Sequence, residues 1–583
     1  MVMNKKLSII NIIKQEYKTK KSILIIQVLY NFFVAVRPFI YIYFPPLVID
    51  YLIANQINKA YICIILFSAL SIICDLIIGL LYVPYSVNGY ILPHQFNKTN
   101  LLHLLEIDYK YTQETQSIKQ YNNSLHHSWQ CSSLAYSFIS VLISSTTSFI
   151  FIILIMSTLD FYILLFILFM VVLNYFINIF KIKTQKKFSD IKNELNRNIK
   201  YDSSVLLDLK YGKEIRLYPK LHTMFLEKYQ NNVKKLEQHN YKERKFVLSI
   251  NLFQSFLLVV QNSIIYIIMI YKYAKSLITF GMFFMYINTA NQIYQTLTNI
   301  SNLANEISTF KIFAKSFNDF QNIEKKVSGK IKLVDSINSI EFKNVSFTYP
   351  DTKQQVLKNI SFKIHKNYKT YLVGDNGSGK STILKLILGL YSVDEGEILI
   401  NGININEYDY NQYLKKFSIV FQDYKLYNLT IKENICFDCF DNIKFNETIK
   451  KCDLETIINQ LDDKENTYID KMYNNSGVNF SGGELQKIAI ARAVYRKGDV
   501  YIFDEPTSSL DPLNEHDILK IYTKLTDNHL SLIISHRMSV ASLCDEIIVI
   551  DGGKIIEKGT FDELIDKRGM FYKKYNMQAS LYK

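Results

Sequence analysis

Six apolar segments dominate the first half of this 583-residue chain. They cover approximately residues 23–49, 60–85, 134–159, 161–182, 246–271 and 277–297. Each is near or above the roughly 20 residues that an α-helix needs to cross a bilayer. The first is too long for the core of a signal peptide, so we expect it to stay in the membrane. The pattern predicts an all-α polytopic membrane domain over residues 1–330, with six transmembrane helices.

The connections between these segments alternate in length. Those after the first, third and fifth segments are short, whereas residues 88–133 and 183–245 form long polar connections. The second long connection holds roughly sixteen lysines and arginines, which mark the cytoplasmic side of a membrane protein. We therefore expect the N-terminus and both long helical connections in the cytoplasm of a multi-pass protein of the cell membrane. A soluble all-helical protein would not explain this sidedness of charge.

Two ionisable residues, Arg37 and Asp75, fall near the middle of the first and second apolar segments. Charges are costly inside a membrane and often mark a transport pathway. The two side chains can pair with each other as a structural ion pair, or they can line a polar membrane cavity. The sequence leaves both alternatives open.

The net charge of +14 suggests an anionic partner such as nucleic acid or a membrane surface. However, Ile, Asn, Lys, Tyr and Phe are all abundant, as in a chain encoded by an A/T-rich genome. That bias raises the lysine content by itself. Because six membrane spans exclude a soluble nucleic-acid enzyme, we expect contact with membrane lipid and none with nucleic acid.

A phosphate-binding loop lies in the second half of the chain, between an apolar strand at residues 371–373 and a helical run at residues 383–388. The pattern G-x-x-x-x-G-K-S predicts that backbone N–H groups surround phosphate oxygens, that Lys380 neutralises the terminal phosphates and that Ser381 holds Mg²⁺. Its residues are Gly374, Asp375, Asn376, Gly377, Ser378, Gly379, Lys380, Ser381 and Thr382. From residue 336 to 583 we therefore predict an α/β nucleotide-binding domain.

Three further features favour nucleotide hydrolysis. The apolar strand 500–503 ends at Asp504 and Glu505, which suit a contact to Mg²⁺ and the activation of water, respectively. The strand 532–535 ends at His536, which can contact a γ-phosphate. Upstream of the phosphate loop, the ring of Tyr349 can stack on adenine through its π-face.

A second anion site is predicted at Ser481, Gly482, Gly483 and Glu484, which precede a helical run. The pattern S-x-x-E predicts a capping box, and the glycines leave the positive helix N-terminus accessible. Two phosphate-binding ends in one domain are explained if two copies face each other, each completing the site of its partner.

Together these motifs resemble the ATP-binding cassette (ABC) family, and the six preceding spans resemble an exporter-type half-transporter. The resemblance implies an α/β P-loop NTPase domain of ABC type that binds ATP and Mg²⁺. It also implies a glutamine loop at Gln422 that contributes to metal binding, a D-loop, and a homodimer as the simplest assembly. The D-loop comprises Ser509, Leu510 and Asp511. Coupling helices are expected near residues 110–120 and 211–218.

One residue departs from the family pattern, because the signature usually ends in Gln where this chain has Glu484. A carboxylate beside a γ-phosphate would be repulsive. We expect the capping box to turn Glu484 back toward the N–H group of Ser481, which would make the replacement tolerable.

The cargo is less constrained than the ATP site. The sequences 477–493 and 503–515 are similar to exporters of modified bacterial peptides of the lanthipeptide type. ATP-driven export of a peptide is therefore our main hypothesis, and any leader peptide would be removed by another protein, since only about twenty residues precede the first span and a domain needs more. A lipid or multidrug exporter, an exporter-fold importer and an ATP-gated channel or sensor remain alternatives.

Overall fold

The computed structural model describes residues 21–156, 161–208, 211–333, 335–350, 352–437, 439–471, 474–505, 521–522 and 524–581. It contains two compact units. The first comprises the residues up to Leu105 together with Lys119–Asn322, and the second comprises Glu106–Ile118 together with Ile323–Lys583.

In the first half of the chain, the elements that the structure describes are helices joined by short connections. Its helices are α1 (Lys21–Ile53), α2 (Ile57–Glu106), α3 (Tyr109–Gln113), α4 (Thr115–Met156), α5 (Phe161–Leu207), α6 (Gly212–Leu217), α7 (Pro219–Ala274) and α8 (Phe280–Gln321). The long helices expose many large apolar side chains, as expected for surfaces that face lipid. The predicted all-α membrane domain is therefore confirmed.

Five of the described helices contain stretches that are long and apolar enough to cross a membrane. These stretches are Leu24–Ile53, Ile57–Glu106, Ser133–Leu154, Leu165–Gln185 and Pro219–Ala274. They coincide with the first five predicted spans, although residues 157–159 of the third lie outside the described residues. The sixth predicted span, 277–297, falls largely in α8, whose apolar sequence is interrupted by Asn and Gln side chains.

A small apolar core holds the membrane helices together. Phe39 of α1, Ile152 of α4 and Ile167 of α5 are buried in it. They pack with Met269 of α7 and Tyr286 of α8. The five helices therefore form one bundle, while the rest of their apolar surface remains available to lipid.

The second unit is built on two sheets. Its strands are β1 (Ser339–Thr348), β2 (Gln355–His365), β3 (Lys369–Gly374), β4 (Glu395–Ile400), β5 (Ile403–Asn404), β6 (Phe417–Val420), β7 (Val500–Asp504), β8 (Leu530–Ile534), β9 (Glu546–Asp551) and β10 (Lys554–Gly559). An antiparallel sheet has the order β2-β1-β4-β5, and a six-stranded sheet has the order β10-β9-β3-β8-β7-β6. All strand pairs of the larger sheet are parallel except β9 with β10.

Both faces of the six-stranded sheet are covered. Within β3, Tyr371 and Val373 belong to one buried core and Leu372 belongs to the other. Such burial on both faces is typical of parallel sheets in α/β proteins, so the predicted fold class is confirmed. The covering helices are α9 (Lys380–Ile387), α10 (Tyr410–Lys415), α11 (Ile431–Cys436), α12 (Asn442–Lys451), α13 (Glu455–Asn459), α14 (Gly482–Arg496), α15 (Phe561–Asp566) and α16 (Met570–Leu581).

A segment from the first half of the chain, Glu106–Ile118, is part of this second unit. It contains the short helix α3, which begins after the capping residue Asp108. The ring of Tyr109 meets the ring of Tyr391 edge-on, with 5.7 Å between their centroids. The Lys326 ammonium lies 3.9 Å from the Asp108 carboxylate. The segment overlaps the first expected coupling helix, residues 110–120, and the second expectation, residues 211–218, coincides with the exposed helix α6.

Candidate functional site

Four neighbouring parallel strands deliver the predicted nucleotide residues to one edge of the sheet. The phosphate loop follows β3, Gln422 follows β6, and Asp504 ends β7, while His536 lies just after β8. Because the carboxyl ends of parallel strands meet at one edge, these segments converge there. They surround a cavity of about 700 Å³, whose lining includes Tyr349, Val356, most of residues 374–382, Gln422, Glu505 and His536.

Two glycines of the phosphate loop are required by close packing. A Cβ atom at Gly374 would lie 2.3 Å from the Ile550 carbonyl oxygen, and one at Gly379 would lie 2.5 Å from the Leu357 side chain. Gly379 also has a φ of 109°, in the left-handed region that favours glycine. The loop can therefore turn directly into helix α9 and present its backbone N–H groups to an anion.

Lys380 projects back across this loop. Its ammonium donates hydrogen bonds to the carbonyl oxygens of Gly374, at 2.8 Å, and Asp375, at 3.0 Å. Burial lowers the pKa of Lys380, whereas the nearby Glu505 carboxylate opposes that effect. The lysine is thus held at the cavity wall, where it can transfer its hydrogen bonds to a phosphate group.

Asp504 is suited to bind a cation. Its side chain is buried, and among the described residues its Oδ1 atom has no hydrogen-bond partner. Burial, followed by repulsion from Glu505, raises the pKa of Asp504 to about 6. A buried carboxylate oxygen without a donor fits Mg²⁺, which is bound through carboxylates and substrate phosphates. Asp504 would hold the ion together with the Ser381 hydroxyl and the Gln422 amide oxygen.

The raised pKa predicts a pH dependence of metal binding. Below about pH 6, Asp504 takes up a proton that competes with the metal, so the Mg²⁺ affinity should fall about tenfold per pH unit. Calorimetric titration of Mg²⁺ with a non-hydrolysable ATP analogue, between about pH 8 and pH 5, measures this effect. Because the nucleotide also takes up protons, Asp504→Asn is the control. An equally steep decline in that variant would contradict the assignment.

Glu505 lines the cavity. Its backbone φ of 45° is unusual for a residue other than glycine, and such strain is found at functional sites. One carboxylate oxygen accepts a hydrogen bond of 2.7 Å from the Gln422 amide, and the other lies 3.4 Å from Nδ1 of His536. The structure therefore brings together the three side chains that the sequence predicted separately.

The position of His536 is fixed through its backbone by residues that the motifs did not reveal. The Tyr371 hydroxyl donates to the carbonyl oxygens of Ser535 and Arg537, on either side of the histidine. From helix α16, the Gln578 amide donates to the His536 carbonyl at 2.7 Å and accepts from the Met538 N–H at 2.9 Å. The histidine is thus held between strand β3 and the C-terminal helix.

Replacement of Gln578 should therefore weaken catalysis without direct contact to the nucleotide. Gln578→Leu removes two hydrogen bonds, each worth about 1 kcal/mol, so kcat should fall about fivefold or more with little change in KM for ATP. Steady-state ATPase kinetics test this expectation. Asn576→Leu, on the exposed side of the same helix, is the matched control, and equal losses in both variants would assign the effect to helix stability.

A second contact of α16 reaches the phosphate loop itself. The Lys574 ammonium lies 2.5 Å from the Asp375 carboxylate. The C-terminal helix therefore contacts both the phosphate loop and the histidine segment. This pair joins side chains almost 200 residues apart, and no local pattern in the sequence indicates it.

Tyr349, whose ring the sequence predicts to stack on adenine, lines the cavity. Its hydroxyl lies 3.0 Å from that of Thr382 in helix α9, and the Lys385 ammonium lies over its ring at 5.2 Å from the centroid. Tyr391 meets the same ring edge-on. The ring is therefore held in place at the border of the cavity before any base stacks on it.

The second predicted anion site, Ser481–Glu484, is separate from this cavity. Ser481 caps helix α14, and Glu484 completes the capping box by accepting hydrogen bonds of 2.8 Å from the Ser481 N–H and hydroxyl groups. The Glu484 carboxylate is thus turned back toward the Ser481 N–H group, as expected. Among the described residues that line the cavity, none comes from this segment.

Because Gln can take the same capping role, Glu484→Gln should leave ATPase activity within about twofold of the parent, or higher. Steady-state ATP hydrolysis by the purified full chain measures it. Ser481→Ala, which removes the cap itself, serves as the comparison. A large loss of hydrolysis in Glu484→Gln alone would contradict the capping explanation.

Two sets of predicted residues lie elsewhere. Ser509, Leu510 and Asp511 fall outside the described residues. In the membrane unit, Arg37 Nε lies 3.0 Å from an oxygen of Asp75, so these two charges form an ion pair, one of the two alternatives that the sequence left open. Both side chains remain about half exposed, which leaves the cavity role open to a direct test.

The ATP-binding residues coincide with a known family. The model of the family described as "ABC transporter" matches residues 357–508, which include the phosphate loop, Gln422, the capped helix α14 and Glu505. The match covers about a quarter of the chain and does not include the helical first half.

Two curated relatives extend the comparison. The subtilin transport ATP-binding protein SpaT of Bacillus subtilis is 35% identical over 374 residues, which are 62% of this chain and 59% of that protein. The ATP-dependent lipid A-core flippase of Escherichia coli (strain K12) is 37% identical over 258 residues, or 44% of each chain. The matched region thus spans less than two thirds of the length of either relative.

A solved structure matches almost the whole chain. It is described as a bacterial Atm1-family ABC exporter with ATP bound, and its TM-score to this protein is 0.79 at 20% sequence identity. The alignment covers 96% of this chain and 97% of the other. The chain therefore has the fold of an ABC exporter, with a helical membrane domain followed by an ATP-binding domain.

Proposed function

We propose that this chain, in which an ABC transporter ATP-binding domain follows a membrane domain of exporter fold, is one half of an ATP-driven peptide exporter of the cell membrane. The convergence of Lys380, Glu505 and His536 on one cavity supports ATP hydrolysis as its energy source. The long apolar helices support a multi-pass membrane location. The lysine- and arginine-rich connection 183–245 supports a cytoplasmic location of the ATP-binding domain, where ATP is available.

The hydrolytic step is assigned to residues of this chain. Backbone N–H groups of the phosphate loop and Lys380 would bind the phosphates. Ser381, Gln422 and Asp504 would hold Mg²⁺, which would neutralise developing charge. Glu505 accepts a proton from the attacking water. His536, 3.4 Å from Glu505, would contact the γ-phosphate and orient that carboxylate.

The separation of the two anion sites supports a proposal for the assembly. The phosphate loop and the capped N-terminus of α14 do not share a cavity within the described part of the chain. Two copies arranged face to face would bring Ser481, Gly482 and Gly483 of each onto the nucleotide of the other. We therefore propose a homodimer with two hydrolytic sites, closed by ATP and reopened by hydrolysis.

The peptide cargo is supported by the extent of one similarity. The 374-residue match to the subtilin transport protein is longer than the predicted ATP-binding domain, 336–583, so it includes part of the membrane domain, where cargo passes. The 258-residue match to the lipid A-core flippase is scarcely longer than the ATP-binding domain. A lipid exporter shares the ATP-binding domain equally well, and lipid transport is thus the second candidate.

Transport by the purified protein in proteoliposomes tests this function. With ATP outside the vesicles, we expect subtilin to accumulate inside them against its gradient and to stimulate ATPase activity. Lipid A should do neither. Glu505→Gln is the control for energy coupling and should abolish accumulation. Stimulation by lipid A alone would replace the peptide by a lipid as cargo, and passive flux in the Glu505→Gln variant would indicate a channel.

A further inference from the structure

A polar cavity of about 520 Å³ lies within the membrane unit, between α1 and α8. From α1, Arg37, Pro38, Tyr41 and Ile42 line it, and from α8, Asn288, Asn291, Gln292 and Gln295 line it. The cavity thus has one wall of apolar and aromatic side chains with a single arginine, and a carboxamide wall on the other side. A volume in this range is typical of ligand-binding cavities.

The four carboxamides follow the period of a helix. They occupy positions i, i+3, i+4 and i+7 of α8, which places them on one face. Within the described residues, none of their side-chain amides has a protein hydrogen-bond partner, and two of the four, Asn288 and Gln295, are exposed. Polar groups without partners are costly at membrane depth, so this row is best explained by a ligand or by water that occupies the cavity.

Arg37 adds a positive charge to the same cavity. Its Nε atom pairs with Asp75 at 3.0 Å, while no other contact of the guanidinium is found in the described part of the chain. About half of the Arg37 side chain is exposed. An intramembrane arginine that is only partly paired retains N–H donors in a fork that matches a carboxylate.

We infer that this cavity binds an extended peptide with its free carboxylate at Arg37 and its backbone amides along the row Asn288, Asn291, Gln292 and Gln295. Carboxamides both donate and accept, as backbone N–H and C=O groups do, and can therefore read a peptide backbone without selecting side chains. Tyr41 and Ile42 supply contacts for apolar side chains of the cargo. The inference rests on the proposed peptide export and names the part of the cargo that is recognised.

Asp75 has a defined part in this arrangement. It holds Arg37 at one nitrogen and reduces the cost of the charge within the membrane, without occupying the whole guanidinium. A purely structural ion pair would instead be broken equally by the loss of either partner. The two explanations therefore predict different results for Arg37 and Asp75 variants.

The test compares two pools of random apolar peptides that are identical except for a free or an amidated carboxyl terminus. ATPase stimulation of the full-length protein in proteoliposomes gives the half-maximal concentration for each pool. We expect the free-carboxylate pool to act at about tenfold lower concentration, because charge-assisted hydrogen bonds are stronger than those between neutral groups. Arg37→Gln should remove the difference between pools, Arg37→Lys should keep part of it, and Asp75→Asn should preserve it.

The carboxamide row is tested by Asn288→Leu and Gln292→Leu, which should raise the half-maximal concentration of both pools alike. Asn262→Leu, a half-buried carboxamide of α7 outside the cavity lining, is the matched control and should change neither.

Three results would overturn the inference: equal potency of the two pools in the parent, a difference that survives in Arg37→Gln, or its equal loss in Arg37→Gln and Asp75→Asn. If neither pool stimulates but subtilin is accumulated, the inference fails while peptide export stands. If only lipid A stimulates, the peptide function fails as well.

Discussion

Glu505→Gln is expected to reduce the rate of ATP hydrolysis by about 10² to 10⁴-fold while ATP still binds, because a positioned general base contributes that factor. The amide can keep the hydrogen bond with Gln422 but cannot accept a proton from water. Single-turnover hydrolysis and equilibrium ATP binding measure the two effects separately. Since ATP would remain bound, the dimer should accumulate in its closed form, which cross-linking between ATP-binding domains would detect.

Glu447→Gln on the exposed surface of α12 provides a control for the same chemical change. It should hydrolyse ATP like the parent. Normal turnover by Glu505→Gln would remove Glu505 as the base and would direct attention to His536. A variant that fails to bind ATP would instead indicate that the strained backbone at Glu505 supports the shape of the cavity.

Lys380→Ala is expected to weaken ATP binding itself by about 10 to 100-fold, because each hydrogen bond from a charged donor contributes about 1.5–3 kcal/mol. The ammonium that now contacts the carbonyl oxygens of Gly374 and Asp375 is the only described cation within the phosphate loop. Equilibrium binding of a fluorescent ATP analogue measures the change, and hydrolysis should fall in parallel.

Lys573→Ala, which removes an exposed lysine from helix α16, is the matched control for lost charge. It should bind ATP with the affinity of the parent. Unchanged affinity of Lys380→Ala would contradict its assigned role. Lost affinity in both variants would point to the overall positive charge of the domain rather than to the loop.

The nucleotide residues could be predicted because each lies in a short local pattern. Each pattern follows a strand or begins a helix: Gly374–Thr382, Asp504, Glu505 and Ser481–Glu484. Parallel strands bring their carboxyl ends together at one edge of the sheet. The capping box was predictable for the same reason, since it involves residues three positions apart. Local chain geometry determined all of these features.

The supporting residues could not be predicted because their partners are distant in sequence. Tyr371 and Gln578 hold the histidine segment through its backbone carbonyls, which every residue carries, so no residue pattern marks the contact. Lys574 is one of many lysines, and only the folded chain selects Asp375 as its partner. The sixth span was recognised as a helix, but its carboxamide face became meaningful only beside Arg37.

The inclusion of Glu106–Ile118 in the ATP-binding unit has a consequence for biosynthesis. This segment leaves the ribosome about 200 residues before Ile323, and domains generally begin to fold as they emerge. The contact of Tyr109 with Tyr391 and that of Asp108 with Lys326 can therefore form only after the later membrane helices have been synthesised. The ATP-binding unit can be completed only on a chain whose membrane half has already been made. Folding of the ATP-binding unit is therefore linked to the synthesis of the membrane unit.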